Sequence, residues 1–256
     1  MGSGGGRRCY GAVPVVKERL SSPAFSIVIA ALNEEATIEP VLVAAGQLTD
    51  DVVVVDGRST DRTVELAERH GARVVTDNGL GKGDAIRVGL DHAAHPITVF
   101  IDADGSHDPA DIEELVRPIA DDEADLVMGS RMLGGSEELF GSAYEVLRLM
   151  GSLVISLTIN YRFGVRFTDY QNGFRAVRTE VGRRIATTSN ITTIEQEMAM
   201  KCLQYGYRVA EVPTHESRRQ GGESKISVMH VSHRYVWNLL RGILVRRSAP
   251  PPTAAG

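Results

Sequence analysis

From Phe25 onward the sequence repeats one unit: a short unbroken apolar run, a polar or glycine-bearing break, then a stretch with helical spacing. "FSIVIA" leads into "NEEATIEPVLVAAGQL", "DVVVVD" into "STDRTVELAERHG", "ARVVT" into "KGDAIRVGLDHAA", and "ITVFID" into "PADIEELVRPIA"; "ADLVMG" closes the series. Strands without alternation are buried on both faces, and long helical connections are the crossovers that parallel strands require. The pattern therefore predicts an α/β fold with a Rossmann-like, mostly parallel central sheet flanked by helices. Ser59 or Thr60 is expected to cap the second helix and Gly71 to stop it. Asp108 is expected as an N-cap before Pro109 at a first helical position.

After Gly129 the rhythm changes. A polar loop precedes a long amphipathic segment from about Tyr144 to Phe163, then "GFRAV", a helix near "TIEQEMAMKCLQYG", the strand "YRVAEVP", a glycine-rich loop "THESRRQGGESK" and a last helical stretch from Ile226 to Val245. The organisation expected is a leader at 1–24, one catalytic domain at 25–247 with a donor half (25–131) and an acceptor half (132–247), and a low-complexity tail at 248–256. The net charge of −5 argues against nucleic acid as a partner, which needs a basic face. Two cysteines, Cys9 and Cys202, form no disulfide framework and suit a reducing compartment. No apolar signal core opens the chain, and "VLRLMGSLVISLTINYRF" is too polar to span a bilayer. The expected location is cytoplasmic, with peripheral contact to the cytoplasmic face of a membrane: the 146–163 segment and the last helix combine apolar faces with Arg, Tyr and Trp, as interfacial helices do. Packing against the sheet explains the same pattern.

The chemistry centres on "FIDADGSH". Residues two apart on a strand point the same way, so Asp102 and Asp104 can converge at the carboxyl end of the fourth strand, where open α/β sheets bind ligands. Two hard anionic oxygens there suit Mg²⁺ or Mn²⁺ shared with substrate phosphates. A strand-to-helix turn also uses Asp and Gly. An aspartyl-phosphate phosphatase, with Asp102 as nucleophile and Asp104 as acid, fits the local motif but usually carries it on its first strand. A silent nucleotide-sugar binding module is the reading from another class. The glycines around Lys82 lack the Ser or Thr and the spacing of a Walker A loop, and no G-x-G-x-x-G follows the first strand.

Taken in order, "IVIAALNEEATI", "VVVVDGRSTDRT", "GLGKGDAIRVGL", "DADGSHDP", "GSR", "TDYQNGFRAV", "EVP" and "RRQGGESK" resemble glycosyltransferase family 2, most of all the polyprenyl-phosphate (dolichol-phosphate) mannose and glucose synthases, over roughly Phe25 to Leu244. The resemblance implies an A-type glycosyltransferase fold and a metal-dependent inverting transfer of a hexose from a nucleotide-diphosphate sugar, with mannose from GDP-mannose the first expectation, to a polyprenyl or dolichyl phosphate. A UDP- or dTDP-sugar with a soluble acceptor is the alternative within the family. It implies donor contacts from Leu32, Glu34, Asp56, Lys82 and Asp102, metal contact through Asp104 with Asp102 beside it, and an active-site acid at Asp169. Arg131, after the fifth strand, and Arg148 are the expected phosphate-acceptor contacts. Arg218, Arg219 and Lys225 are expected in a loop that closes over the diphosphate. The chain departs from the family's pattern at Ala30, at Gly57-Arg58 and at Ser106.

Overall fold

A computed structural model describes residues 24–137, 143–218 and 228–244. The strands are β1 (Phe25–Ala31), β2 (Asp51–Asp56), β3 (Arg73–Thr76), β4 (Ile97–Asp102), β5 (Leu126–Ser130), β6 (Arg175–Arg178) and β7 (Val209–Pro213). The helices are α1 (Ile38–Leu48), α2 (Thr63–Arg69), α3 (Lys82–His92), α4 (Ile112–Ala120), α5 (Arg131–Gly134), α6 (Ala143–Phe163), α7 (Thr179–Arg184), α8 (Ile194–Tyr205) and α9 (Val228–Leu244). All seven strands join one sheet in the order β3-β2-β1-β4-β6-β5-β7. Only β6 runs against its neighbours, pairing antiparallel with both β4 and β5.

Alternate residues of each buried strand feed opposite layers. Ile27, Ile29, Val99 and Ile101 pack with α1, α2 and α4 on one face. Val28, Val53, Val55 and Phe100 pack with α3, α6, α7, α8 and α9 on the other. Each fully buried aliphatic side chain contributes about 1.5–3 kcal/mol to this arrangement.

The reversal of β6 positions the site. Phe100 of β4 stands opposite Arg175, the first residue of β6, so the chain entering β6 arrives at the carboxyl ends of β4 and β5. Residues 168–174 thereby meet the loops that leave those strands.

Local expectations hold at Asp108, whose Oδ1 accepts from the Ala110 N–H at 2.9 Å ahead of the turn begun by Pro109, and at Gly71, where φ is 77° just beyond α2. The expected caps of α2 are corrected: Asp61 accepts from the Thr63 N–H at 3.0 Å, whereas Ser59 and Thr60 bond to Asn33. The first helix also starts later than its spacing suggests, because the Glu34 carbonyl accepts from Thr37 and Ile38 and turns the "NEEA" segment outside it.

Helix α3 touches the sheet through Gly89, where an added Cβ would lie 2.3 Å from Val28 Cγ1. In an open helix, Gly→Ala stabilises by about 1 kcal/mol. Here overpacking wins, and we expect Gly89→Ala to lower stability by about 1–3 kcal/mol in urea unfolding; an unchanged or raised midpoint contradicts that contact.

Candidate active site

Register aligns the carboxyl ends of the central strands: Ala31 lies opposite Asp56, and Ala30 opposite Asp102. The β1 and β2 loops are stitched into one wall. Asn33 donates its N–H to Ser59 Oγ at 2.9 Å and accepts the Thr60 N–H at 2.7 Å. Asp56 accepts the N–H groups of Arg58 and Ser59 at 3.0 and 3.1 Å, which folds the Gly57-Arg58-Ser59 turn. Glu34 accepts from the Thr37 hydroxyl at 3.0 Å, and Leu32 is exposed at this wall.

The centre is a charge cluster. Lys82, the first residue of α3, places Nζ 2.6 Å from Asp102 Oδ1 and 3.1 Å from Glu195 Oε1. Backbone fit supports it twice. Gly81 and Gly83 admit the Asn190 and Ser189 carbonyls to distances that a Cβ would forbid, with the Gly83 N–H donating to Asn190 O at 3.0 Å. At Gly173, a Cβ would stand 2.8 Å from Lys82 Nζ and 3.0 Å from Asp102 Oδ2. Partial burial lowers the Lys82 pKa, but Asp102 and Glu195 outweigh it and hold the pKa above the ordinary lysine value. Burial likewise opposes the Asp102 anion, and Lys82 together with His107 outweighs it, holding Asp102 below the usual carboxylate range. Glu195, fully buried, goes the other way: burial raises its pKa, and Lys82 and Arg175 offset only part of that. Its Oε2 is buried without a hydrogen-bond partner among the described residues. His107 stacks on Phe174 at 4.9 Å, with Nε2 3.7 Å from Asp102 Oδ2.

The two acidic residues of the Asp-x-Asp segment are not presented by strand alternation. Asp102 ends β4, but Asp104 lies in the following turn, where Gly105 has φ of 71°. Asp104 Oδ1 accepts from the Ser106 N–H at 3.1 Å and its hydroxyl at 2.7 Å, so the turn aims this carboxylate.

A second cluster adjoins it. Arg131 donates to Asp169 through two bonds, Nε to Oδ2 at 2.6 Å and Nη2 to Oδ1 at 3.0 Å, and lies 3.4 Å from Glu216 Oε1. Asp169 is buried; burial opposes its charge, and Arg131 prevails to hold its carboxyl below the usual range. Glu211 accepts the N–H groups of Thr168 and Asp169, each at 2.8 Å, and fixes the backbone. The buried Arg175 donates to the carbonyls of Asn172 and Glu195 at 3.1 and 2.7 Å, tying this loop to α8.

The sequence-predicted residues Lys82, Asp102, Asp104, Arg131 and Asp169 thus gather around the ends of β4 and β5, while Leu32, Glu34 and Asp56 form the adjoining wall. Arg218 is exposed, with its N–H on Glu137 Oε2 at 3.2 Å. Arg219 and Lys225 lie outside the described residues, and so does the side chain of Arg148, whose backbone is in α6. Glu195 belongs to the site although glutamates at helical spacing are mostly solvated: it is buried under Lys82. The signal for it was its place three and four residues before Met198 and Ala199, on an apolar helix face. Glu216 and Arg175 carried no comparable signal. Among the described residues no group of three His, Cys, Asp or Glu side chains is arranged to hold a metal by itself.

The Arg131–Asp169 pair has a testable pH signature. A carboxyl whose folded pKa is depressed from 3.8 adds stability that is present above that value and is lost as pH falls through the lower folded value. We expect Asp169→Asn to cost about 3–5 kcal/mol at pH 7, because it strands a buried guanidinium. The gap to the parent should narrow only below the ordinary carboxylate range. Chemical unfolding followed from pH 7 to 3 checks this, and a gap independent of pH contradicts it.

Residues 26–186 match Glycosyl transferase family 2. The chain is 31% identical over 204 residues to a dolichyl-phosphate hexose transferase of Haloferax volcanii, covering 78% of this chain and 86% of the relative. It is 32% identical over 208 residues to an undecaprenyl-phosphate mannosyltransferase of Micrococcus luteus, covering 74% and 83%. It spans about half, 53%, of the glycosyltransferase AglJ of Haloferax volcanii, at 34% identity over 165 residues and 64% of this chain. Its fold is similar to that of glucosyl-3-phosphoglycerate synthase from Mycobacterium tuberculosis, solved with Mn²⁺, UDP and glucosyl-3-phosphoglycerate: TM-score 0.70, 23% identity, 91% of this chain and 83% of that one. With the mixed sheet described above, these likenesses assign the chain to glycosyltransferase family 2, in the A-type glycosyltransferase fold.

Proposed function

We propose that this glycosyltransferase moves a hexose from a nucleotide-diphosphate sugar to a polyprenyl phosphate, with inversion at the anomeric carbon, and that residues 25–247 act as one catalytic unit. Mannose from GDP-mannose is the first candidate donor; the name of the Micrococcus relative, a mannosyltransferase, supports the sugar. The observation that carries the lipid acceptor is the outer face of α6. Ser152, Ile155, Ser156, Ile159 and Phe163 are buried against the core, while Met150, Val154, Leu157 and Tyr161 form a stripe on the opposite side, with Leu157 67% and Tyr161 93% exposed. Packing on the sheet explains only the first face. An apolar stripe of that length on a solvent side is characteristic of contact with a partner or a membrane surface. The buried face of the same helix meets the second charge cluster: Ser156 donates to the Thr168 carbonyl at 3.3 Å, next to Asp169. The contact proposed is peripheral, on the cytoplasmic face; among the described residues no helix is long and apolar enough to cross a membrane.

The site's donor set suits a divalent cation. Asp104, aimed by its turn, and Asp102 beside it offer hard oxygens, and Mg²⁺ or Mn²⁺ commonly takes one or two carboxylates together with substrate phosphates. When bound, such an ion would neutralise charge on the departing nucleotide diphosphate. Lys82 supplies a fixed cation at the same place, held between Asp102 and Glu195. Leu32, Glu34 and Asp56 form the wall assigned to base and ribose. Arg131 is assigned, with Arg148, to the acceptor phosphate, and Arg218, Arg219 and Lys225 to the donor diphosphate. A phosphate monoester is largely dianionic at pH 7, its second pKa being about 6, and needs no strong base. Asp169 accordingly serves to aim Arg131, since a carboxylate held below the usual range by an arginine is a poor proton acceptor.

The UDP in complexes of the structurally similar synthase supports a second reading, a UDP-sugar with a soluble phosphorylated acceptor. Calorimetry with GDP-, UDP- and dTDP-sugars plus Mn²⁺, followed by transfer to polyprenyl phosphate in detergent, separates the two. The first reading expects GDP-mannose to bind and lipid-linked product to form; UDP-glucose binding with no lipid product overturns it. Asp104→Ala should lower transfer by about 10²–10³-fold or more with the fold retained. Leu157→Glu should release the protein from phosphatidylcholine–phosphatidylglycerol vesicles in co-sedimentation while leaving donor binding intact, and undiminished sedimentation contradicts the α6 contact.

A further inference from the structure

Away from the charge clusters, α9 crosses α8 and leaves a cavity of about 480 Å³ beside the crossing. The crossing itself is closely fitted. A Cβ at Gly242 would meet Met200 Cε and Sδ at 2.5 Å, Gln204 donates to the Gly242 carbonyl at 2.6 Å, and Asn238 donates to Ser189 Oγ at 2.8 Å. The cavity is therefore bounded by fixed contacts, and its size is that of a small-molecule pocket.

Its charge is unbalanced. Glu197 is the only acid among the described residues of the lining, and it is already engaged by Lys201 at 3.0 Å and by the Thr188 and Ser189 N–H groups. Arg234 and Arg241 also line the cavity, are exposed, and have no hydrogen bond or ion pair with any described residue. They stand seven residues apart, two helical turns, with Trp237 between them on the same side of α9. Trp237 is 70% exposed, and Val236, Leu240 and Leu244 continue from it as an exposed apolar strip. Two uncompensated guanidiniums beside an indole and an apolar strip match an anionic head joined to an apolar body; guanidinium pairs phosphate in a bidentate way, and the indole suits the boundary between them.

We propose that the α8–α9 cavity binds a phosphate-headed amphiphile, with Arg234 and Arg241 on the phosphate and Trp237 against the apolar part. None of Lys82, Asp102, Asp104, Arg131, Asp169 and Glu195 lines it, although the Ser189–Asn190 segment that does also packs on Gly81 and Gly83, on either side of Lys82. Nothing in it depends on which sugar or acceptor the enzyme uses.

Trp237 is the only tryptophan in the chain, so its emission reports on this cavity alone. Purified full-length protein is titrated with dihexanoyl phosphatidic acid kept below its micelle concentration. The expected result is a saturable shift of emission to shorter wavelength, with half-saturation raised at least about tenfold in R234Q/R241Q and only partly restored in R234K/R241K, which keeps the charge and loses the bidentate fork. A thermal midpoint equal to the parent's verifies that the double variant is folded, and calorimetric donor binding, read separately, keeps failure here apart from failure of the transferase reading. Vesicles distinguish the source. A shift with phosphatidylglycerol-containing vesicles, absent with phosphatidylcholine alone, assigns a bilayer headgroup; a shift with monomers only assigns a single phosphorylated lipid. Displacement by inorganic phosphate at concentrations comparable to the lipid's would show that only the anion is recognised and overturn the amphiphile. No saturable shift, or equal half-saturation in parent and R234Q/R241Q, overturns the site.

Discussion

A lysine largely covered by protein needs a counter-charge, and Lys82, a quarter exposed, has two, Asp102 and Glu195. Removing one partner from such a buried cluster costs several kcal/mol, so the cluster is over-determined by its surroundings. Gly81 and Gly83 let α3 begin against the Ser189–Asn190 backbone, and Gly173 leaves the volume that the ammonium and Asp102 occupy. Arg175 then bonds the Glu195 carbonyl to the loop entering β6. Four separate stretches of chain are held together by one cation and the groups that neutralise it.

This cluster explains why the odd strand matters. Were β6 parallel to β4, the segment 168–174 would emerge at the opposite edge of the sheet, away from Asp102 and Arg131. Reversed, it delivers Asp169 to Arg131 and Gly173 to Lys82. The same segment leans on α6, through Asn160 and Ser156, so a helix with apolar residues on both sides borders the charged floor. One face of α6 thus meets the charged floor, and its other face is the exposed apolar stripe.

Much of this was legible beforehand, for identifiable reasons. Unbroken apolar strands and helical crossovers report directly on a buried parallel sheet, and residues at strand ends, such as Asp56, Asp102 and Arg131, inherit their location from it. Glycines around Lys82 were visible, but their purpose was not, since close approach to Ser189 and Asn190 depends on a segment a hundred residues later. The alternation argument for Asp102 and Asp104 failed because the strand stops at Asp102 and a positive-φ glycine turns the chain. Glu195 was underestimated because helical spacing tells which face is buried only when the rest of that face is read as core; Glu216 and Arg175 owe their roles to long-range pairing that no local pattern encodes.

The central claim is that the Lys82–Asp102–Glu195 cluster, with Asp104 on the adjacent turn, forms the floor on which the donor diphosphate and its cation rest. A crystal structure with bound nucleotide-diphosphate sugar and Mn²⁺ tests it most directly, because anomalous scattering locates the ion independently of the protein. The account predicts the ion in contact with a carboxylate oxygen of Asp104 and the diphosphate within reach of Lys82 Nζ. An ion and diphosphate bound elsewhere, with Lys82 and Asp104 unengaged, would contradict it.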